Sequence, residues 1–106
     1  MKNFLGKPLD ASIIKENLPS NVNIAVGQPL TLQAKVASNL PINVQWIKDG
    51  IPIKQSDSIK IDGIKPDGTV SLKIEQTQPQ DAGKYELKAT GPKGEAVSSS
   101  NVVIGG

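Results

Sequence analysis

The 106-residue chain contains no cysteine and no histidine. Without cysteine there is no disulfide, no thiolate metal site and no thiol nucleophile. Without histidine the commonest metal ligand and general base is missing too. Small secreted β domains usually carry disulfides, so this composition points to a reducing compartment, the cytoplasm. None of the seven asparagines (3, 17, 21, 23, 39, 43 and 101) opens an Asn-x-Ser/Thr glycosylation triplet, which agrees. The start, Met1 to Pro8, lacks the apolar run of a signal peptide, and nowhere do apolar residues accumulate to a membrane span. Arginine is absent as well. The twelve basic residues are all lysines, none beside another, and the net charge is only +2. Nucleic-acid binders concentrate basic residues and add stacking aromatics, whereas here the aromatics are only Phe4, Trp46 and Tyr85. Neither nucleic acid nor membrane is expected as a partner.

What is present is Val, Ile, Leu and Ala in period-two alternation, cut at short intervals by Pro and Gly. A chain of this length holds one domain, and this pattern is that of an all-β sandwich. Strands are expected at Ser12 to Glu16, on an edge, and at Asn21 to Val26, with Val22, Ile24 and Val26 on one face. Leu30, Leu32, Ala34 and Val36 alternate most cleanly, and Val44 and Trp46 follow the break at Ser38 to Pro41. Lys48-Asp49-Gly50 signals a tight hairpin, leading into a short edge strand, Ile51 to Ile53, blunted by Pro52. Ile59, Ile61 and Ile64 mark the next strand, and Val70 to Ile74 follows the turn at Pro66-Asp67-Gly68. Gln78 to Gly83 reads as a crossing loop into a strand that carries Tyr85, Leu87 and Ala89. Gly91-Pro92-Lys93-Gly94 closes the last hairpin, after which Ala96, Ser98, Ser100, Val102 and Ile104 share a face. Residues 1–11 read as a tail or inter-domain linker, and 12–106 as the domain.

Leu32-x-Ala34, Trp46, the Lys48-Asp49-Gly50 turn, Leu72-x-Ile74 and Asp81-Ala82-Gly83-Lys84-Tyr85-x-Leu87 fall in the order seen in immunoglobulin domains. The spacing most resembles the intermediate set, common in muscle and adhesion proteins, over about residues 12 to 104, and the lack of cysteine resembles the repeated domains of titin-like, twitchin-like and obscurin-like giant muscle proteins. The resemblance implies a Greek-key immunoglobulin-like sandwich with Trp46 as the plug between its sheets. It implies that the Tyr85 hydroxyl bonds back to the loop backbone and that Gly83 gives that turn its freedom. Asp81 is expected to accept backbone N–H groups and to pair with a lysine such as Lys60. Ala34 and Leu87 stand where most such domains place the cysteine pair between the sheets, so packing must replace a bridge commonly worth ~2–5 kcal/mol. Intracellular members often lack that bridge.

Chemistry is sought without result. Asp57, Asp62 and Asp67 recur every five residues, but a calcium site needs more oxygens, more tightly arranged. Solvated turn carboxylates are the expectation. No serine sits in a nucleophile-elbow or Ser-x-x-Lys context, and the glycines occupy turns rather than a phosphate-cradling loop. Ser98-Ser99-Ser100 reads as small inward residues alternating with an outward one. No catalytic residue, cofactor or metal is expected. The resemblance implies a structural and protein-binding module of a cytoskeletal or sarcomeric protein, monomeric in isolation. Its implied partners are neighbouring immunoglobulin or fibronectin-like domains in the same chain, and filament proteins such as myosin or actin. The other reading is an extracellular adhesion or receptor domain that has lost its disulfide.

Overall fold

The computed structural model describes residues 13–37, 41–92 and 94–105. Nine strands are present among them: β1 (Ile14–Glu16), β2 (Asn21–Ala25), β3 (Leu30–Val36), β4 (Asn43–Lys48), β5 (Ile51–Pro52), β6 (Ile59–Asp62), β7 (Thr69–Ile74), β8 (Gly83–Gly91) and β9 (Gly94–Gly105). They form two sheets, with strand orders β1-β3-β7-β6 and β2-β9-β8-β4-β5. All pairings are antiparallel except that of β2 with β9. This is the immunoglobulin-like Greek-key sandwich that the alternation and motifs imply.

The alternation of β3 becomes the architecture directly. Leu30, Leu32, Ala34 and Val36 are buried, while Thr31 and Gln33 face solvent. Opposite them in register stand Ile74, Leu72 and Val70 of β7. Trp46 of β4 lies beside Leu87 of β8, and Ala89, Ser98, Ser100 and Val102 complete the inner face of the second sheet. Leu32, Val70, Leu72, Leu87 and Ala89 are wholly inaccessible. Burying a large aliphatic side chain contributes about 1.5–3 kcal/mol, so this layer is the main source of stability.

The N-terminal edge is split between the sheets. Asn17, Leu18 and Pro19 lie between β1 in the first sheet and β2 in the second. Leu18 is buried, and its N–H donates to Ser98 Oγ at 2.9 Å. Pro19 cannot donate to a ladder, which suits a point where the chain leaves one.

Three local expectations change. Val26 does not extend β2: it enters a turn, where Gln28 N–H bonds to the Ala25 carbonyl at 3.1 Å, and it is exposed. Ile64 does not extend β6, which ends at Asp62, and Ile64 is exposed beyond it. Val26 keeps the parity of Val22 and Ile24 while Ile64 breaks that of Ile59 and Ile61, yet both lie past the last register partner, so apolar character alone does not show where pairing stops. The crossing loop holds a 3₁₀ turn, Pro79–Asp81, too short to leave a helical period in the sequence. Ser12, the tail 1–11, residues 38–40, Lys93 and Gly106 lie outside the described residues.

Candidate functional site

Ala34 and Leu87 lie on the inner faces of opposite sheets, in β3 and β8, and both are buried. Leu72 pairs with Leu32 and Trp46 pairs with Leu87, so four of the singled-out residues occupy the apolar layer. The other three, Asp81, Gly83 and Tyr85, gather at the corner where β7 passes into β8.

That corner is built from hydrogen bonds. The buried Tyr85 donates its hydroxyl to the Asp81 carbonyl at 2.6 Å. Asp81 Oδ2 accepts the Gln78 N–H at 2.8 Å, and the Asp81 N–H returns to the Gln78 carbonyl at 2.9 Å. Burial pushes the Tyr85 hydroxyl well above its ordinary pKa, and the charges of Asp81 and Asp49 add to the effect. The phenol therefore stays a donor at any physiological pH. Asp81 forms no ion pair with Lys60 among the described residues. Lys60 stands instead across from Lys73 in the β6–β7 register, in the other sheet.

A second lock joins this corner to the β4–β5 hairpin. Asp49 (φ 50°) and Gly50 (φ 83°) both take positive φ, as a two-residue hairpin of this hand requires. This aims the Asp49 carboxylate at β8, where Oδ1 accepts the Lys84 N–H at 3.0 Å, and Asp49 N–H donates to the Lys84 carbonyl at 2.9 Å. The Lys84 N–H holds the Asp49 carboxyl below its ordinary pKa, with Lys48, 3.4 Å from Oδ2, adding to it. Gly83 (φ 151°) lies directly under that carboxylate, and a Cβ there would stand 2.6 Å from Asp49 Oδ2. The sequence signals the Asp-Gly turn but not its partner 35 positions away.

The remaining polar candidates are accounted for locally. Asp67 accepts the Thr69 N–H at 3.0 Å, which holds its carboxyl low, and Asp62 accepts from Ser71 Oγ at 3.1 Å. Asp57 lines a shallow depression with Glu75 and Asp81. No group of three or more metal-ligating side chains occurs among the described residues. Ser98 and Ser100 are buried and Ser99 is exposed.

The other organised feature is the ladder between the two end strands. β2 and β9 run parallel and in register, from Asn21 opposite Asn101 to Ala25 opposite Gly105. Asn101 N–H donates to the Ser20 carbonyl and Val26 N–H to the Gly105 carbonyl, each at 2.9 Å. In a strand, alternate residues turn their backbone groups to the same side. Residues 101, 103 and 105 of β9 therefore face β2, and 22 and 24 of β2 face β9.

The model of the immunoglobulin I-set domain matches residues 14–104. Mouse hemicentin-1 is 40% identical over 77 residues, covering 73% of this chain and 1% of that protein. The muscle M-line assembly protein unc-89 of Caenorhabditis elegans is 31% identical over 81 residues, covering 76% of this chain and 1% of that protein. Among solved structures, the titin M3 domain superposes with a TM-score of 0.80 at 26% identity, covering 88% of this chain and 95% of that one. The chain thus spans about a hundredth of the curated relatives and nearly all of a single titin domain. Sandwich topology, the tyrosine corner and the family match agree: this chain is an immunoglobulin domain of the intermediate set.

Proposed function

We propose that this domain is a folded, non-catalytic link in a multidomain cytoskeletal or sarcomeric protein, where it transmits tension and offers docking surfaces. In this reading residues 12–106 are the immunoglobulin-like domain and residues 1–11 a tail or inter-domain linker. The observation that carries this reading is the parallel ladder of β2 with β9. A force on the chain ends pulls β2 toward its start and β9 toward its end, so the two strands slide along each other. Every bond between them is loaded at once, whereas a hairpin peeled from one end breaks its bonds in turn. Forced unfolding is governed by the unfolding barrier rather than by equilibrium stability. Relatedness to unc-89 and similarity to a titin domain support a sarcomeric setting, and the cysteine-free core suits a reducing one. Neighbouring immunoglobulin or fibronectin-like domains, and filament proteins such as myosin or actin, are the partners that such a setting supplies. A second reading, an extracellular adhesion or receptor domain without its disulfide, draws on the identity with hemicentin-1.

The test is single-molecule pulling on the domain between folded handles, with Val103→Pro as the comparison. Val103 is exposed and its N–H points to β2, so proline removes one ladder bond and no core contact. A high unfolding force for the parent and a clearly lower one for the variant supports the tension role. A parent that opens no harder than a peeled hairpin removes it and leaves only docking.

A further inference from the structure

A sandwich of two open sheets has four edge strands, and exposed edges invite pairing with other chains unless they are blunted. Three of the four here are blunted by different means. β1 has three residues, two of them charged (Lys15 and Glu16), and its pairing slips between Ile14 and Glu16. β5 has two residues, and one is Pro52. β6 carries Lys60 and Asp62, and the segment before it folds over its edge: Gln55 Oε1 accepts the Ile61 N–H at 2.9 Å, and Ser56 Oγ accepts the Ile59 N–H at 3.3 Å.

Among the described residues, β2 has none of these devices. Its five residues, Asn-Val-Asn-Ile-Ala, contain no charge and no proline. Val22 and Ile24 turn their backbone groups to β9, so those of Asn21, Asn23 and Ala25 point away from the sheet, and all three residues are exposed. The Ala25 carbonyl is already used by Gln28 N–H and Thr77 Oγ1. That leaves the N–H and carbonyl of Asn21 and Asn23 and the N–H of Ala25 facing outward. A shallow open groove lined by Asn23, Ile24, Ala25, Val103 and Gly105 runs alongside.

We propose that β2 pairs antiparallel with β2 of a second copy of this chain, about a two-fold axis at Asn23. The edge is self-complementary in that arrangement. Asn23 meets its own counterpart and exchanges two backbone hydrogen bonds with it, as residues directly opposite do in an antiparallel pair. Each Ala25 N–H reaches the Asn21 carbonyl of the other copy. No charge meets its like across the axis, which would not hold for β1 or β6. The symmetry is that of an isologous dimer. The contact is small, so association is weak and depends on high local concentration, as a tandem or filamentous host supplies. It revises the expectation of a strict monomer and does not depend on the tension role.

The test uses the chain's lack of cysteine. Asn23→Cys places a single thiol on the axis, and Ile51→Cys places one on the opposite edge of the same sheet. Under mild oxidation at high protein concentration, Asn23→Cys should form disulfide-linked dimers about tenfold faster than Ile51→Cys, because only its edge is open for pairing. Sedimentation of the unmodified chain should show mass rising with concentration. Asn23→Pro should abolish that rise with an unchanged thermal transition, since the lost N–H faces away from β9. Asn23→Lys keeps the N–H and sets two charges across the axis, so it decides the matter if the proline variant fails to fold. Equal cross-linking rates, a parent that stays monomeric throughout, or an Asn23→Lys variant that dimerises like the parent each overturns the proposal.

Discussion

The centre of the sandwich and the corner between β7 and β8 are held by opposite kinds of interaction. Around Trp46, Leu32, Leu72 and Leu87 stability comes from the removal of apolar area from water, and Trp46 Nε1 finds no hydrogen-bond partner among the described residues. At the corner, partly or fully exposed carboxylates do the holding: Asp81 takes Gln78 N–H, Asp49 takes Lys84 N–H, and Tyr85 bonds to the Asp81 carbonyl. The centre responds to volume, and its side chains carry no titratable group. The corner responds to single atoms and to the ionisation of one carboxylate. A core can exchange one apolar shape for another, whereas a hydrogen bond has no substitute of a different shape.

Substitutions can sharpen this contrast. The largest effect is expected from Trp46→Ala, at ~3–5 kcal/mol, because the neighbouring strands cannot close over the space left. Chemical denaturation should show the midpoint collapse, or no cooperative transition at all. A loss under about 1 kcal/mol would mean the centre repacks freely and is not a fixed plug. Gly83→Ala comes next, at about 1–3 kcal/mol, since its backbone sits in a region that only glycine occupies easily. The added methyl also presses on the Asp49 carboxylate, so Asp49→Gly in the same chain should recover part of the loss. Additive effects of the two substitutions would deny the contact.

Tyr85→Phe removes one hydroxyl and leaves the ring in place. A loss of about 1 kcal/mol is expected, the net worth of a neutral hydrogen bond. Ser100→Ala should go the other way. Its hydroxyl is buried and has no hydrogen-bond partner among the described residues, so removing it should leave stability unchanged or raise it by up to about 1 kcal/mol. A clear destabilisation there would show that the hydroxyl is satisfied after all.

The smallest effect is pH-dependent, and at the corner it comes from Asp49. Asp49 has a lower pKa folded than its ordinary value of 3.8, so the folded state favours its ionised form. The stabilisation is therefore complete above that ordinary value and is lost as pH falls through the folded one. Thermal stability measured from pH 5 downward should drop more steeply in the parent than in Asp49→Asn. Parallel curves would detach Asp49 from the acid limb.

Much of the fold was legible in the residues. Period-two alternation placed β3, β7 and β8, and Asp49-Gly50 announced the hairpin because few dipeptides accept two positive φ values. Asp81-Ala82-Gly83-x-Tyr85 located the corner, and the alternate serines of β9 proved to be inward and outward in turn. Illegible were the ends of pairing at Val26 and Ile64, where apolar character continues past the last partner. Equally hidden was the meeting of Asp49 with Lys84 and Gly83, because nothing in a turn signal names the strand its side chain will reach.

By itself the sequence determined which side of the alternating strands faces inward, where the chain turns, and that no disulfide can form. These follow from side-chain type and local backbone preference, which act over a few residues. Only the tertiary structure decided that β2 lies parallel to β9, that Gln55 folds over the β6 edge, and that no other described residue covers the outer edge of β2. Those outcomes depend on which backbone hydrogen-bonding groups remain unpaired once every strand has found its neighbour, and that depends on the whole sandwich.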